Sequence, residues 1–266
     1  TQVGTQGLKV EGWAEDPWPV VMRTAPGPDG ATPPIVWLHG VPTSADDWAE
    51  FLEQAGGYAP DLPGFGRSSK RGDGDFTLDG YARFTGAFAD ALGLERFSLV
   101  VHDWGGAGLA WAAANPERIE KLVVINAVPL LAGYRWHRMA RLWRTRGVGE
   151  VVVGAMTGFA LRRALPRGVG SVAAEHLDQG TQRAILRLYR SAPPEALAAH
   201  EERLAALKDV PTLVVWGKED PYIAAYYAER YADALGGATV RVLSGAGHWP
   251  WIDDADLYGE IVSFLR

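Results

Sequence analysis

The strongest constraint on this chain is a recurring unit: a run of four or five mostly apolar residues, a loop bearing glycine or a reactive side chain, then a helical segment. Ile35–Leu38, Ser98–His102, Leu122–Asn126, Leu213–Trp216 and Val240–Leu243 are such runs, and Tyr58–Asp61 is another. Short apolar runs bounded by turn residues suit strands buried on both faces. Their alternation with helices predicts an α/β fold with a mainly parallel central sheet flanked by helices. Right-handed crossovers then bring the strand C-termini to one edge, where open sheets of this kind bind ligands.

Helix boundaries follow from local chemistry. Ser44 is an N-cap for a helix over 45–54. A second helix runs from Leu78 to Leu92 and is closed by Gly93. Gly105–Ala114 is a third, stopped by Asn115-Pro116. The stretch from Val128 to Asp209 differs: it is rich in Arg, Ala and Leu, broken at Pro166 and at Pro193-Pro194, and has no strand-like run. It reads as a helical cap (128–209) inserted into a core made of 1–127 and 210–266.

Composition narrows the function. A net charge of -6 with both signs mixed along the chain gives no polyanion-binding surface, so nucleic acid is not an expected partner. With no cysteine, a thiolate nucleophile and a Cys-ligated zinc are excluded. No apolar run approaches the ~20 residues of a membrane span, and Thr1–Val10 lacks the basic-then-apolar order of a secretory signal. A cytoplasmic protein without membrane contact is the expectation. Eleven tryptophans suggest an aromatic-lined cavity as well as a core. The arginines Arg138, Arg141, Arg144 and Arg146 read as a solvated helix face.

Val100-Val101-His102-Asp103-Trp104-Gly105-Gly106 lies where a strand turns into a helix. A nucleophile on such an elbow is held in a strained conformation and needs small neighbours, a need Gly105 meets although Val101 is bulky. A serine there would attack carbonyl carbon. Asp103 instead suits attack on a saturated carbon, giving an alkyl ester that water then cleaves. A bare helix-capping role for Asp103 is the competing account.

The partners of that reaction are present in order. His39-Gly40-Val41-Pro42 follows the first buried run and can aim the amide of Val41, beside that of Trp104, at a developing oxyanion. Gly245-Ala246-Gly247-His248-Trp249 projects His248 as general base from a glycine-freed loop. Trp216-Gly217-Lys218-Glu219-Asp220 offers the acid, with Asp220 favoured over Glu219 because it ends the loop just before Pro221. The slot after the earlier strand holds Asn126, which cannot be a charged partner.

The segments HGVPTSADDW, APDLPGFGRSS, VVHDWGG, WGKEDPY and GAGHWPW, in this order, resemble the epoxide hydrolase and haloalkane dehalogenase branch of the α/β-hydrolases. The resemblance spans nearly the whole chain, is strong in the core and weak in the cap. It implies a hydrolase without cofactor or metal and a pocket between core and cap. His39, Pro42, Trp104, Tyr134, Trp136 and Trp249 are the expected substrate contacts.

Epoxide opening needs a proton donor over the nucleophile, and Tyr189 matches the position of a cap tyrosine, 31 residues before Asp220; Tyr134 is a candidate for a second. Halide departure needs N–H donors instead. Trp104 resembles the halide-binding tryptophan, Val41 replaces the asparagine of many dehalogenases, and Trp136 or Trp143 is a candidate second donor. Epoxide hydrolysis is the preferred expectation and dehalogenation the alternative, each on a small apolar substrate with water. Trp104 stands where haloacetate dehalogenases resemble one another in placing arginine. A non-catalytic binder has no use for the intact set of Asp103, Asp220 and His248.

Overall fold

Alternate residues of the central strands feed two different apolar layers. Val36, Leu38, Leu99, Val101, Val214 and Trp216 enter one layer, while Ile35, Trp37, Val100, Val123, Leu213 and Val215 enter the other. Successive side chains of a strand point to opposite faces, so runs apolar at every position must be covered on both sides.

The computed structural model describes residues 2–166 and 168–266. Its strands are β1 (Gly4–Val10), β2 (Trp18–Ala25), β3 (Ile35–Leu38), β4 (Gly57–Pro60), β5 (Phe97–His102), β6 (Ile119–Ile125), β7 (Thr212–Gly217) and β8 (Thr239–Leu243). They form one sheet in the order β1-β2-β4-β3-β5-β6-β7-β8, parallel from β4 to β8 and antiparallel at β1 and β2. The six expected strands are present. The two N-terminal strands were not expected: β1 is a largely exposed edge strand with polar residues and two glycines, so it has no apolar signature.

Ser44 caps as expected, its side chain accepting the Asp46 amide, but the turn it opens (Ala45–Trp48) is 3₁₀ before the helix α1 (Ala49–Ala55) begins. Next come α2 (Leu78–Ala91), capped by Thr77, and α3 (Gly108–Ala114). Between β6 and β7 lie α4 (Arg138–Arg144), α5 (Val148–Gly154), α6 (Gly158–Ala164), α7 (Val169–Glu175), α8 (Gln179–Ser191) and α9 (Pro194–Ala198), with no strand among the described residues. The helices α10 (Tyr226–Ala234), α11 (Pro250–Asp253) and α12 (Asp256–Leu265) complete the chain.

Helix α8 matters most for the site. Its buried residues Thr181, Ala184, Ile185, Leu188 and Tyr189 recur at helical spacing and form one face. Burying Ile185 and Leu188 contributes about 1.5–3 kcal/mol each. Polar bonds then fix the helix over the sheet edge: Thr181 Oγ1 donates to Gly64 O at 3.0 Å, and Ser191 Oγ accepts from Leu78 N at 2.9 Å. Tyr189 is thereby placed by anchors near both ends of its helix.

Candidate active site

Strand β5 ends in His102, and the next residue, Asp103, has φ 49°. Asn126, just after β6, has φ 39°; these are the only non-glycine residues with positive φ among the described residues. Such backbone costs of order 1–3 kcal/mol and persists only where the surroundings enforce it. The Asp103 carbonyl accepts from Val128 N at 3.0 Å, which holds the turn. Two glycines make room for it. A Cβ on Gly40 would stand 2.4 Å from Asp103 Cβ, and one on Gly105 would stand 2.2 Å from Leu38 O. Gly105 therefore has the steric role expected of it, while Val101 fits within the sheet core.

Asp103 Oδ2 accepts from Val41 N at 2.8 Å, and Oδ1 lies 3.4 Å from His248 Nε2. On the far side of the imidazole, Nδ1 lies 2.6 Å from Asp220 Oδ2. Asp220 is held in turn: Oδ1 accepts from the amides of Tyr222 (2.7 Å) and Ile223 (3.1 Å), and Oδ2 accepts from Asn126 Nδ2 at 2.6 Å. Asn126 Oδ1 accepts from Gly217 N at 2.9 Å, which spans β6 and β7. Asp103, Asp220 and His248 thus converge as the loop spacing predicts, and Asn126 joins them as a support that sequence reasoning passed over. Glu219 turns away, its carboxylate accepting from Gly245 N at 3.4 Å.

Charge governs the protonation of this group. Burial disfavours charge on all three residues, yet the ion pairs prevail. His248 is pushed up to about 10 by Asp220 and Asp103 against burial. Asp103 and Asp220 are held below the usual carboxylate range by His248, again against burial. All three shifts favour the charged forms, an imidazolium flanked by two carboxylates.

Two further histidines brace the site. Burial, and then the charge of His248, bring His102 down to about 3, so it is neutral. Its Nε2–H donates to His248 O at 2.8 Å, fixing the loop that carries His248. His39 was expected to touch substrate, but it is fully buried and has a structural task. Its Nε2 accepts from Leu62 N at 2.8 Å and its Nδ1 pairs with Gly40 O at 2.7 Å, a neutral tautomer that ties the Val41 turn to the loop after β4.

A cavity of about 360 Å³ opens over Asp103 and His248, and Pro42, Tyr134, Trp136, Tyr189 and Trp249 line it as expected. Trp143, a candidate halide donor, lines it too, as do His137 and Tyr222, which had been assigned no substrate role: the first lies on a half-buried stretch of the 128–209 segment and the second in the loop after β7, and neither position marks which side meets a ligand. Trp104 does not line it. Its ring is buried against Trp136 (centroids 5.4 Å apart) and Tyr189 (5.1 Å), and its amide makes no bond to the Asp103 carboxylate. Trp136 cannot serve as a free N–H donor, because its Nε1 is committed to Ala192 O at 2.8 Å.

Several buried polar atoms here lack partners. Trp104 Nε1, Trp143 Nε1 and the Tyr134 hydroxyl make no hydrogen bond, although the Trp104 N–H stands near enough to the Tyr189 hydroxyl to oppose its upward shift. Burial, followed by the Asp103 charge, raises Tyr189 well above an ordinary tyrosine, and Tyr134 is raised by the same causes. Both phenols keep their protons. Unpartnered buried donors are uncommon in folded proteins and call for an explanation.

A mostly parallel eight-stranded sheet, with a strained elbow after an interior strand and a histidine and acid at later strand ends, defines an α/β hydrolase. The chain belongs to the alpha/beta hydrolase fold family, whose profile matches residues 33–255. It is 29% identical over 260 residues to a haloalkane dehalogenase of Mesorhizobium japonicum, covering 87% of this chain and 83% of that one. It is 27% identical over 258 residues to a 2-hydroxy-6-oxononadienedioate/2-hydroxy-6-oxononatrienedioate hydrolase of Burkholderia vietnamiensis, covering 87% of this chain and 86% of that one. A solved structure, the DbeA-M1 loop variant of a haloalkane dehalogenase from Bradyrhizobium elkanii, superposes with TM-score 0.80 at 20% identity. The match covers 99% of this chain and 96% of that one, a likeness of fold.

Proposed function

We propose that this hydrolase is a haloalkane dehalogenase in which Asp103 is the nucleophile, His248 the base and Asp220 its orienting acid, with the segment 128–209 closing the cavity as a cap. The observation that carries the chemistry is the division of labour between the two oxygens of Asp103. Oδ2 is held by the Val41 amide, while Oδ1 is left toward His248 and the cavity. Oδ1 attacks the carbon bearing the halogen, the carbon–halogen bond breaks, and halide leaves with the bonding pair. Water, deprotonated by His248, then adds to Cγ, and the charge that develops on Oδ2 falls on the N–H already bonded to it. Collapse of that intermediate releases the alcohol, and the net reaction consumes one water and yields halide and a proton.

Two considerations turn this reading from the expected epoxide toward halide. The haloalkane dehalogenase of Mesorhizobium japonicum is similar over most of the chain. The indole N–H of Trp143, a residue that lines the cavity, is buried without an acceptor and packed on Tyr189, and it is a donor of the kind a departing anion needs. Epoxide hydrolysis stays as the second reading, because the Tyr134 hydroxyl is also buried without a partner and lines the cavity with Tyr189.

Bromide release from 1-bromobutane and 1,2-dibromoethane, followed beside diol formation from styrene oxide, tests both. Bromide release that is lost in Asp103→Ala supports dehalogenation. Diol formation without bromide release transfers the assignment to epoxides. Incubating His248→Gln with 1-bromobutane is expected to leave a butyl group on the Asp103 peptide, visible by mass spectrometry; an unmodified protein counts against the covalent route in either form.

A further inference from the structure

Five of the eight exposed large apolar side chains among the described residues fall in one short stretch: Met139, Leu142, Val148, Val151 and Phe159. Val151 and Phe159 are each 72% exposed, far more than a side chain of their kind in an ordinary surface position needs to be. The same stretch is strongly basic although the whole chain carries -6. Between residues 135 and 166 it holds seven arginines (135, 138, 141, 144, 146, 162 and 163) against one acid, Glu150. That acid is neutralised by Arg190, whose Nη1 and Nη2 each donate to it at 2.8 Å. Among the described residues none of the seven arginines pairs with a carboxylate, and six of them are exposed.

The cavity comes to the surface at this place. Met139, Ala155, Ala160 and Ala164 line it and are exposed as well, so the helices α4 to α6 carry its rim and the basic, apolar residues beside that rim. Exposed arginines alone would suit any polyanion. Large aliphatic and aromatic side chains interspersed with them are what an interfacial surface needs, since the apolar groups enter the acyl boundary while the guanidinium groups meet anionic headgroups.

We propose that the α4–α6 surface docks on an anionic phospholipid bilayer, turning the mouth of the cavity toward apolar compounds dissolved in it. This departs from the expectation of no membrane contact, which rested on the absence of a spanning segment. A peripheral surface needs none, and no helix of the described residues is long and apolar enough to cross a membrane. The inference does not depend on which bond the site cleaves.

Co-sedimentation of the full chain with sucrose-loaded vesicles is the test, because it requires no turnover. Vesicles containing phosphatidylglycerol are expected to carry the protein down at low ionic strength and to release it as salt is added. Vesicles of phosphatidylcholine alone are expected to leave it in solution. Arg162→Glu with Arg163→Glu, and separately Val151→Asp with Phe159→Asp, are expected to weaken binding at least about thirtyfold with melting temperature unchanged. Should those variants unfold, Phe159→Ser is compared with Ile252→Ser, an exposed apolar residue outside the stretch, and only the former is expected to lose binding. No sedimentation with phosphatidylglycerol overturns the proposal. So does equal binding to phosphatidylcholine, which indicates plain adsorption, or undiminished binding of the variants. Retention of the chain by soluble acidic proteins but not by these vesicles overturns it in favour of a protein partner.

Discussion

His248 stands between two carboxylates at unequal range, 2.6 Å from Asp220 Oδ2 on one side and 3.4 Å from Asp103 Oδ1 on the other. In the proposed reaction the nearer acid orients the ring and the farther one is the nucleophile, esterified and then restored. While both are charged, His248 is raised to about 10 despite its burial. Once Asp103 becomes an ester its charge is gone, and one of the groups that kept the imidazole protonated goes with it. In the proposed reaction this shifts His248 toward the neutral base at the stage that needs it, while Asp220 still holds the ring.

Asp103→Asn mimics the ester electrostatically and is expected to lower the His248 pKa by about one unit or more. Nitrogen-15 NMR of the labelled imidazole gives this directly, as the pH at which Nδ1 and Nε2 change shift. An identical titration in both proteins rules out the timing argument.

The same shift links folding to pH. The folded-state pKa of His248 lies above the ordinary value of 6.5, so its contribution to stability is full below 6.5 and is lost as pH rises toward about 10. Melting temperature is expected to fall across that window in the native chain. His248→Gln, which has no proton to bind, is expected to show a flatter profile there, and parallel profiles would assign the fall to other groups.

The core of this arrangement was legible because each of its parts ends a strand. Asp103, Asp220 and His248 follow β5, β7 and β8, and strand ends are where apolar runs give way to turn residues. What escaped was side-chain direction. His39 stands in the same kind of loop as Val41, yet its ring is turned inward to brace Leu62. Asn126 was set aside for lacking a charge, although the strand-end position that drew attention to it is what lets it bond Asp220. Strand β1 was missed for a different reason, since an exposed edge strand needs no apolar alternation. Around the cavity, Trp136 and Trp143 look alike in sequence, and only packing decides that the first bonds Ala192 while the second keeps its N–H free.

Gly40 and Gly105 offer a steric test of the elbow. Gly40→Ala would press a methyl group to 2.4 Å from Asp103 Cβ, and Gly105→Ala to 2.2 Å from the Leu38 carbonyl. Each is expected to cost about 3 kcal/mol, by denaturant unfolding, because Asp103 Cβ is carried on the strained elbow and the Leu38 carbonyl on a central strand, and neither has much freedom to retreat. Gly93→Ala, at φ 68° with open space around it, is expected to cost only about 1–2 kcal/mol. Comparable losses at all three positions would show that crowding around the elbow, against Asp103 and Leu38, is not the issue.

Asn126→Ala removes the bond to Asp220 and leaves the Gly217 amide without its acceptor. The expected loss is about 1–3 kcal/mol of stability, together with a fall in kcat as Asp220 loses its support. Asn126→Asp keeps the shape but sets a second negative charge beside Asp220, so it is expected to impair turnover as well. Full activity in the aspartate variant would show that Asn126 serves only the backbone.

Trp143 and Tyr189 divide the two chemical readings. Their rings pack edge to face with centroids 4.9 Å apart, and both line the cavity. Trp143→Phe deletes an N–H that has no partner in the resting protein, so it removes no bond there and little packing. If that N–H receives the halide, bromide release slows and the affinity for added bromide, read by quenching of tryptophan fluorescence, falls about tenfold, as for one hydrogen bond to a charged group. Tyr189→Phe is expected to leave bromide release nearly intact, because an anion leaving from carbon needs no proton. Under the epoxide reading the pattern inverts: Tyr189→Phe removes the acid that protonates the opening ring, a loss of about 10²–10⁴-fold in diol formation, and Trp143→Phe is tolerated. Trp136→Phe separates either pattern from general damage to the aromatic cluster, since its N–H already bonds Ala192 and its loss is expected to lower stability without selecting between bromide and diol.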